Sequence, residues 1–327
     1  MRVRRLLVAS MLALIACGAA PVFAQSQSAI KPLTIVVPYS AGGPTDRIAK
    51  ALVAELGAVL GEPVQLRYEA GAGGTLGPAR MIAEGDTSGR TLLLHHLGMA
   101  TAPTLYRRLG YQPLRDFAPI GRIADAPMIL LGRTDLLPAG ISIASHIRAN
   151  QNSLMLAYAG AGSASQMCSL LLEAALKVKL MWIPYKGTGP ALKDLAARRV
   201  DLLCDQTTQA LEAVSSGSAA GYAVTTPGRL SLSLAIPTTT EVGMPDMQIS
   251  IWHGLYANAG TNPQTIDRLS RALQQAVGSS GFREAMTALG LVPASASQAT
   301  PDSLRKLLES ETLRWQVVIR AAGQYAD

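Results

Sequence analysis

Cysteine is scarce in this sequence, with only Cys17, Cys168 and Cys204. Three thiols so widely spaced cannot build a cysteine-lined metal site, and with Cys17 in the leader only a Cys168–Cys204 pairing is open; the alternative is two buried thiols acting as small apolar residues. Aromatic residues make up 5% of the chain and the basic residues are scattered, which excludes the basic, aromatic-studded surface of a nucleic-acid binder. The four histidines are His95, His96, His146 and His253, and no HExxH, GxSxG or GxxxxGK[ST] occurs. Zinc-hydrolase, serine-hydrolase and nucleotide-cradling chemistries therefore lack their residues. A strand alternates its faces, so at most one of His95 and His96 faces a cleft. The expectation is a protein with no metal, no cofactor and no catalytic residue.

What the sequence does have begins at its first residues. Arg2, Arg4 and Arg5 precede an uncharged apolar run from Leu6 to Ala20, and small residues follow to Val22-Phe23-Ala24. This is the pattern of a secretory signal over residues 1–24, with cleavage after Ala24. Leu14-Ile15-Ala16-Cys17 also fits a lipoprotein processing box, and Arg4-Arg5 a twin-arginine signal. The run is shorter than the roughly 20 residues that cross a bilayer, and no later run approaches that length. The expected location is the periplasm. The net charge of +7 loses the three leader arginines, leaving +4, a mild bias towards anionic ligands.

From Leu33 onwards short β-like runs alternate with helix-like stretches: Thr34 to Val37, Asp46 to Leu60, Val64 to Tyr68, Leu76 to Glu84, Thr91 to Leu94. The rhythm returns between Ser153 and Ser215. Alternation of this kind predicts parallel sheets built from βαβ units, here two of them. Extended stretches at 116–131 and 222–257 predict two crossings between two lobes. The C-terminal stretches Pro263 to Val277, Gly281 to Leu289 and Pro301 to Ala322 read as helices that pack back on the first lobe, the last with Thr300 as its cap. The predicted organisation is one lobe of residues 30–125 plus 227–327 and a second of residues 126–226.

Three glycine clusters each follow a β-run and precede a helix: Ser40-Ala41-Gly42-Gly43-Pro44-Thr45-Asp46, Gly71-Ala72-Gly73-Gly74-Thr75 and Gly160-Ala161-Gly162-Ser163-Ala164-Ser165. A helix start exposes unpaired N–H groups and about half a positive charge, and glycine lets backbone come close to a ligand. In parallel sheets ligands bind beyond the carboxyl ends of strands, where all three clusters fall. No lysine stands in the first two loops to meet outer phosphates, so a carboxylate fits better than a nucleotide. Asp46 opens its helix either as a cap or as a contact to a ligand hydroxyl, amine or water.

These residues resemble the solute receptors of tripartite tricarboxylate transporters, the Bug receptors. The likeness covers essentially all of the chain beyond the leader. It rests on Pro38 to Asp46 (PYSAGGPTD), Gly71 to Gly74, Gly160 to Ser165, Ile183 to Asp205 (IPYKGTGPALKDLAARRVDLLCD), Ala223 to Thr226, Ile236-Pro237-Thr238 and Trp252 to Leu255. The resemblance implies an α/β, type II periplasmic-binding-protein fold of two lobes, each with a mainly parallel sheet flanked by helices, joined by two extended hinge connections. It implies a receptor that closes on a small carboxylate and delivers it to membrane permease subunits, acting as a monomer; presentation of the closed form to a histidine-kinase ectodomain is the alternative. Ligand contacts carried over by position are Tyr39, Ser40, Gly42, Gly43, Asp46, Gly71, Ala72, Gly73, Gly74, Ser163, Ala164, Ser165 and Asp205. Lys186 reads rather as a solvated loop lysine and Trp252 as packing. The chain departs from the family at Tyr68, where asparagine is usual, at Thr87 to Arg90, and at Gln166, where histidine is common.

Overall fold

A computed structural model describes residues 32–230 and 235–326 of the protein. The expected leader, with Cys17 and Ala24, lies outside the described residues. The elements run β1 (Leu33–Val37), α1 (Pro44–Leu60), β2 (Val64–Tyr68), α2 (Leu76–Glu84), β3 (Thr91–His96), α3 (Gly98–Leu105), α4 (Pro113–Asp116) and β4 (Phe117–Gly132). They continue as α5 (Ile143–Asn150), β5 (Met155–Tyr158), α6 (Ala164–Leu176), β6 (Met181–Pro184), α7 (Thr188–Ala196), β7 (Leu202–Gln206), α8 (Thr207–Ser215) and β8 (Ala220–Val224). The chain closes with β9 (Ser250–Asn258), α9 (Pro263–Gly278), α10 (Ser280–Ala288), β10 (Val292–Pro293) and α11 (Pro301–Ala322).

The βαβ rhythm yields two parallel triplets, β2-β1-β3 and β6-β5-β7. The central strand β1 forms because its residues are mostly β-branched or leucine and buried on both faces; Leu33, Ile35, Val36 and Val37 are all inaccessible to solvent, whereas the outer strands β2 and β6 are partly exposed. In β7 the strand period of two is plain, since Leu202 and Cys204 join the large core while Leu203 joins a smaller apolar cluster on the opposite face. Helix α1 buries Ile48, Ala49, Leu52 and Leu56 as one stripe, begins on Pro44 and ends on Gly61, whose φ of +66° is the left-handed stop that glycine takes freely.

The two triplets are not separate sheets. The 16-residue β4 joins them into one ten-stranded sheet. Its first part, Phe117 to Pro127, pairs antiparallel with β9, and its end pairs with β7 over Met128 to Gly132 on one side and with β8 over Ile129 to Gly132 on the other. At that change of partner the Thr225 hydroxyl accepts the Met128 N–H at 3.0 Å and donates to the Ile249 carbonyl at 2.6 Å. Thr225 therefore pins both extended connectors to each other. The C-terminal helices α9 and α10 pack on α1, and α11 packs on α3 and β4.

A disulfide joins Cys168 on α6 to Cys204 on β7. Three elements were not visible as periodic patterns. Helix α3 is buried along nearly its whole length and contains Pro103, so it has no polar face; α4 is one turn; α5 is short, with Ser142 capping it by accepting the Ser145 N–H at 3.2 Å.

Candidate functional site

The three glycine clusters lie at the carboxyl ends of β1, β2 and β5, and they meet around a cavity of about 840 Å³. That is the size of a small-molecule site. Every residue carried over by resemblance lines it except Asp46. Lining residues that no motif pointed to are Met128, Gln206 and Gln209; Thr45 and Thr188 lie within the quoted motifs, and His96 is the one of the adjacent histidine pair that reaches the wall. Lys186 stands exposed at the wall, and no ion pair to it is found among the described residues.

The first and third clusters share a construction. Gly42 and Gly162 take φ of +86° and +77°, and each gives its N–H to the side chain four residues on: Gly42 to Asp46 Oδ2 at 2.7 Å, Gly162 to Gln166 Oε1 at 2.8 Å. The following residue, Gly43 or Ser163, then caps a helix. Because Gly42 and Gly162 have spent their N–H groups inside their loops, the unspent amides are those of Gly43, Thr45 and Asp46 in one loop and of Ala164 and Ser165 in the other. These are helix-start donors backed by the positive end of a helix dipole.

Asp46 acts behind the loop. It is 1% exposed, and besides Gly42 it binds Lys50 at 2.8 Å and accepts the Tyr68 hydroxyl at 2.6 Å. Burial pushes its carboxyl up, but the bonds from Lys50, Tyr68 and Gly42 outweigh that and hold it below the usual range. The same burial and bond push the Tyr68 hydroxyl up to about 12. Tyr68 and Gln166, two of the departures from the family pattern, are thus residues that brace the first and third loops.

The second cluster is built differently. Gly71, Ala72, Gly73 and Gly74 all have positive φ, from +46° at Ala72 to +149° at Gly71. Consecutive left-handed residues make the kind of turn whose amides converge on an anion, and those of Gly71, Ala72 and Gly73 are unspent. Space around it is tight. A Cβ on Gly74 would come within 2.5 Å of the Tyr39 hydroxyl, and one on Gly73 would collide with the Tyr106 hydroxyl and approach the Ala161 carbonyl to 2.7 Å. Tyr106 fills the space between the second and third clusters and donates to Ala161 O at 3.4 Å. Across the same divide Arg47 donates to Thr208 O at 3.1 Å and Thr207 to Gly290 O at 3.0 Å.

Behind the first two loops sit three buried histidines whose hydrogen bonds fix their tautomers. His95 Nδ1 accepts the His96 N–H, so its Nε2–H donates to the Gly74 carbonyl at 3.1 Å. His253 Nδ1–H donates to Ile251 O at 3.0 Å, so its Nε2 accepts the Thr45 hydroxyl at 3.3 Å. His96 Nδ1 accepts the Gly98 N–H at 2.9 Å, and its ring stacks on Tyr39 with centroids 4.6 Å apart. One adjacent histidine braces the second loop and the other lines the cavity. Burial holds His95 down to about 4 and His253 to about 3, and pushes His96 well below 6.5, so all three are neutral. Trp252, 2% exposed in β9, belongs to the core.

On the β7 side, Asp205 is 1% exposed. Burial pushes its carboxyl up to about 7, against the Gln206 N–H bond to Oδ1 at 2.8 Å and the nearby Thr188 hydroxyl, both of which lower it. Its Oδ2, the hydroxyl of Ser165 and Gln206 Oε1 are buried without a partner among the described residues.

A family model described as the tripartite tricarboxylate transporter family receptor matches residues 48–324. The periplasmic binding protein BugD is 37% identical, with a TM-score of 0.81 over 90% of this chain and 99% of that one. MatC from Rhodopseudomonas palustris, solved with bound malate, is 34% identical, with a TM-score of 0.80 over 89% and 99%. A further R. palustris protein, solved with adipate, is 27% identical, with a TM-score of 0.81 over 90% and 98%.

Proposed function

The chain belongs to the tripartite tricarboxylate transporter receptor family, and from that membership we propose that it captures a small carboxylate outside the cytoplasm and delivers it to membrane permease subunits. It is a solute-binding receptor with the type II periplasmic-binding-protein fold, not an enzyme.

The observation that carries the carboxylate reading is the set of amides left unspent among the described residues around one cavity: Gly43 and Thr45 at the start of α1, Gly71, Ala72 and Gly73 in the second loop, Ala164 and Ser165 at the start of α6. Donors supplied by main chain, with helix dipoles behind them, suit a compact anion. Malate in MatC and adipate in its R. palustris relative are both carboxylates, which supports the same class here. Tyr39, Ser40, Gly42 and Gly74 shape the first side of the site, Ser163 and Asp205 the second.

Two lobes, residues 30–125 plus 227–327 and residues 126–226, close on the ligand by bending where β4 changes partners and Thr225 holds the connectors. The Tyr106–Ala161 and Arg47–Thr208 bonds are contacts that this closure makes. The receptor works as a monomer. A thermal-shift screen of aliphatic and aromatic carboxylates, sugars and amines tests the reading. A carboxylate at 100 times its dissociation constant should add about 2.7 kcal/mol of stability. Stabilisation by sugars or amines alone refutes it.

A further inference from the structure

Among the described residues Asp205 is the one acidic side chain on the cavity wall. It sits next to last in β7: Oδ1 holds the Gln206 N–H, the neighbouring Thr188 hydroxyl, which helps hold the carboxyl down, gives its hydrogen to Gln209 Oε1, and among the described residues Oδ2 has no hydrogen-bond partner and no ion pair reaches it. Beside it, Ser165 and Gln206 each keep a side-chain oxygen unpaired. The disulfide fixes these groups relative to one another, since Cys204 precedes Asp205 and Cys168 lies one turn beyond Ser165.

Buried polar groups are normally satisfied, and a group that the fold leaves open against a cavity is satisfied by what enters. A bare carboxylate cannot serve an acceptor, because it brings no hydrogen. We infer that the solute carries, besides its carboxylate, a hydrogen-bond donor, a hydroxyl or an ammonium group, and that Asp205 receives it. This rests on the carboxylate-receptor reading and narrows it. The loop amides see any carboxylate alike, so selectivity falls to Asp205 as the specificity-determining residue. The elevated position of its titration is that of a carboxyl for which the fold supplies no cation, and a ligand donor stabilises its ionised form.

Matched acids that differ only in the donor test this by calorimetry: succinate against L-malate and D-malate, glutarate against L-glutamate, butyrate against 3-hydroxybutyrate, benzoate against 4-hydroxybenzoate. In every pair that binds, a donor-bearing acid should bind at least about ten-fold tighter, since a site built to hydrogen-bond a hydroxyl or amine rejects the analogue lacking it. Asp205→Leu should bring that ratio to within about two-fold, and Asp205→Asn, which keeps one acceptor oxygen and nearly the same shape, should leave an intermediate ratio. A donor-free acid that binds as tightly as its partner, as it would if a protonated Asp205 gripped a second carboxylate, overturns the inference. So does a ratio unchanged in both variants. These two results leave the carboxylate receptor standing, whereas failure of every acid in the set to bind removes both readings.

Discussion

Tyr68 donates its hydroxyl to Asp46 across 2.6 Å, so a residue at the end of β2 holds the first glycine loop in place from behind. The bond completes a chain: Tyr68 fixes Asp46, Asp46 fixes the Gly42 N–H, and the amides of Gly43 and Thr45 are left aligned at the start of α1. Tyr68→Phe removes one hydrogen bond to a charged acceptor, a change of about 1.5 kcal/mol, so ligand affinity should fall roughly ten-fold. Asp46→Ala frees both the Gly42 N–H and the tyrosine and should cost more. Titration calorimetry on the two variants checks the order; a Tyr68→Phe variant with unchanged affinity would show that the loop holds without its brace.

Gly74→Ala should abolish binding with little loss of fold. Its methyl would strike Tyr39, with the hydroxyl oxygen and two ring carbons within 2.8 Å, and the φ of +94° is poorly tolerated by alanine. Gly61→Ala is the control. Its φ is also positive, but nothing lies within 4 Å of the added carbon, so it should cost about 1 kcal/mol of stability and leave affinity alone. Melting temperatures and affinities measured on both variants separate backbone strain from damage to the site.

Stability should fall as pH drops below 6.5. His95, His96 and His253 titrate lower in the folded protein than in the unfolded chain, at about 4 for His95 and about 3 for His253. Below 6.5 the unfolded chain therefore takes up protons that the folded one refuses, which favours unfolding. His95 and His253 each contribute about 2 kcal/mol between pH 6.5 and 5, and His96 acts in the same direction. Asp205 works the other way. Raised to about 7, it keeps its proton when folded while the unfolded chain has lost it, so acidification from pH 7 to 5 relieves a cost. Urea unfolding at pH 7 and 5 should show a net loss of a few kcal/mol, and Asp205→Asn, by removing the opposing contribution, should make the loss larger.

Replacing Cys168 and Cys204 together by alanine opens a cross-link between residues 36 apart in sequence. Loop-closure entropy for that length gives about 4 kcal/mol of stability. Chemical denaturation of the double variant against the oxidised protein should show a loss of that order, and reduction of the unmodified protein should reproduce it.

Much of this molecule could be read from its residues. The strands of both triplets, the span of α11 and the three glycine clusters follow from periodicity and turn chemistry, and the clusters do meet at one cavity. What escaped reading depends on contacts between distant residues. Asp46 could be a cap or a cleft residue until Tyr68 and Lys50 were seen to occupy it. Tyr106 stands in no motif, and only the fold brings its ring between Gly73 and Gly162. The roles of His95 and His253 come from β3 pairing with β9, a register set by residues about 160 apart. Helix α3 hid because burial on every side erases the polar face by which a helix is recognised.

The unspent amides around the cavity belong to main chain, and main chain is common to nearly all amino acids. A point mutation at Ser40, Ala41, Ala72 or Ala164 changes a side chain and leaves the N–H where it was, so long as the brace behind the loop survives. Such a clamp is robust to drift. Asp205, Gln206 and Ser165 face it with side chains that one nucleotide change can swap. If the loops hold the carboxylate as proposed, a lineage of copies moves from one solute to another by altering a single wall, inheriting the grip on the anion unchanged.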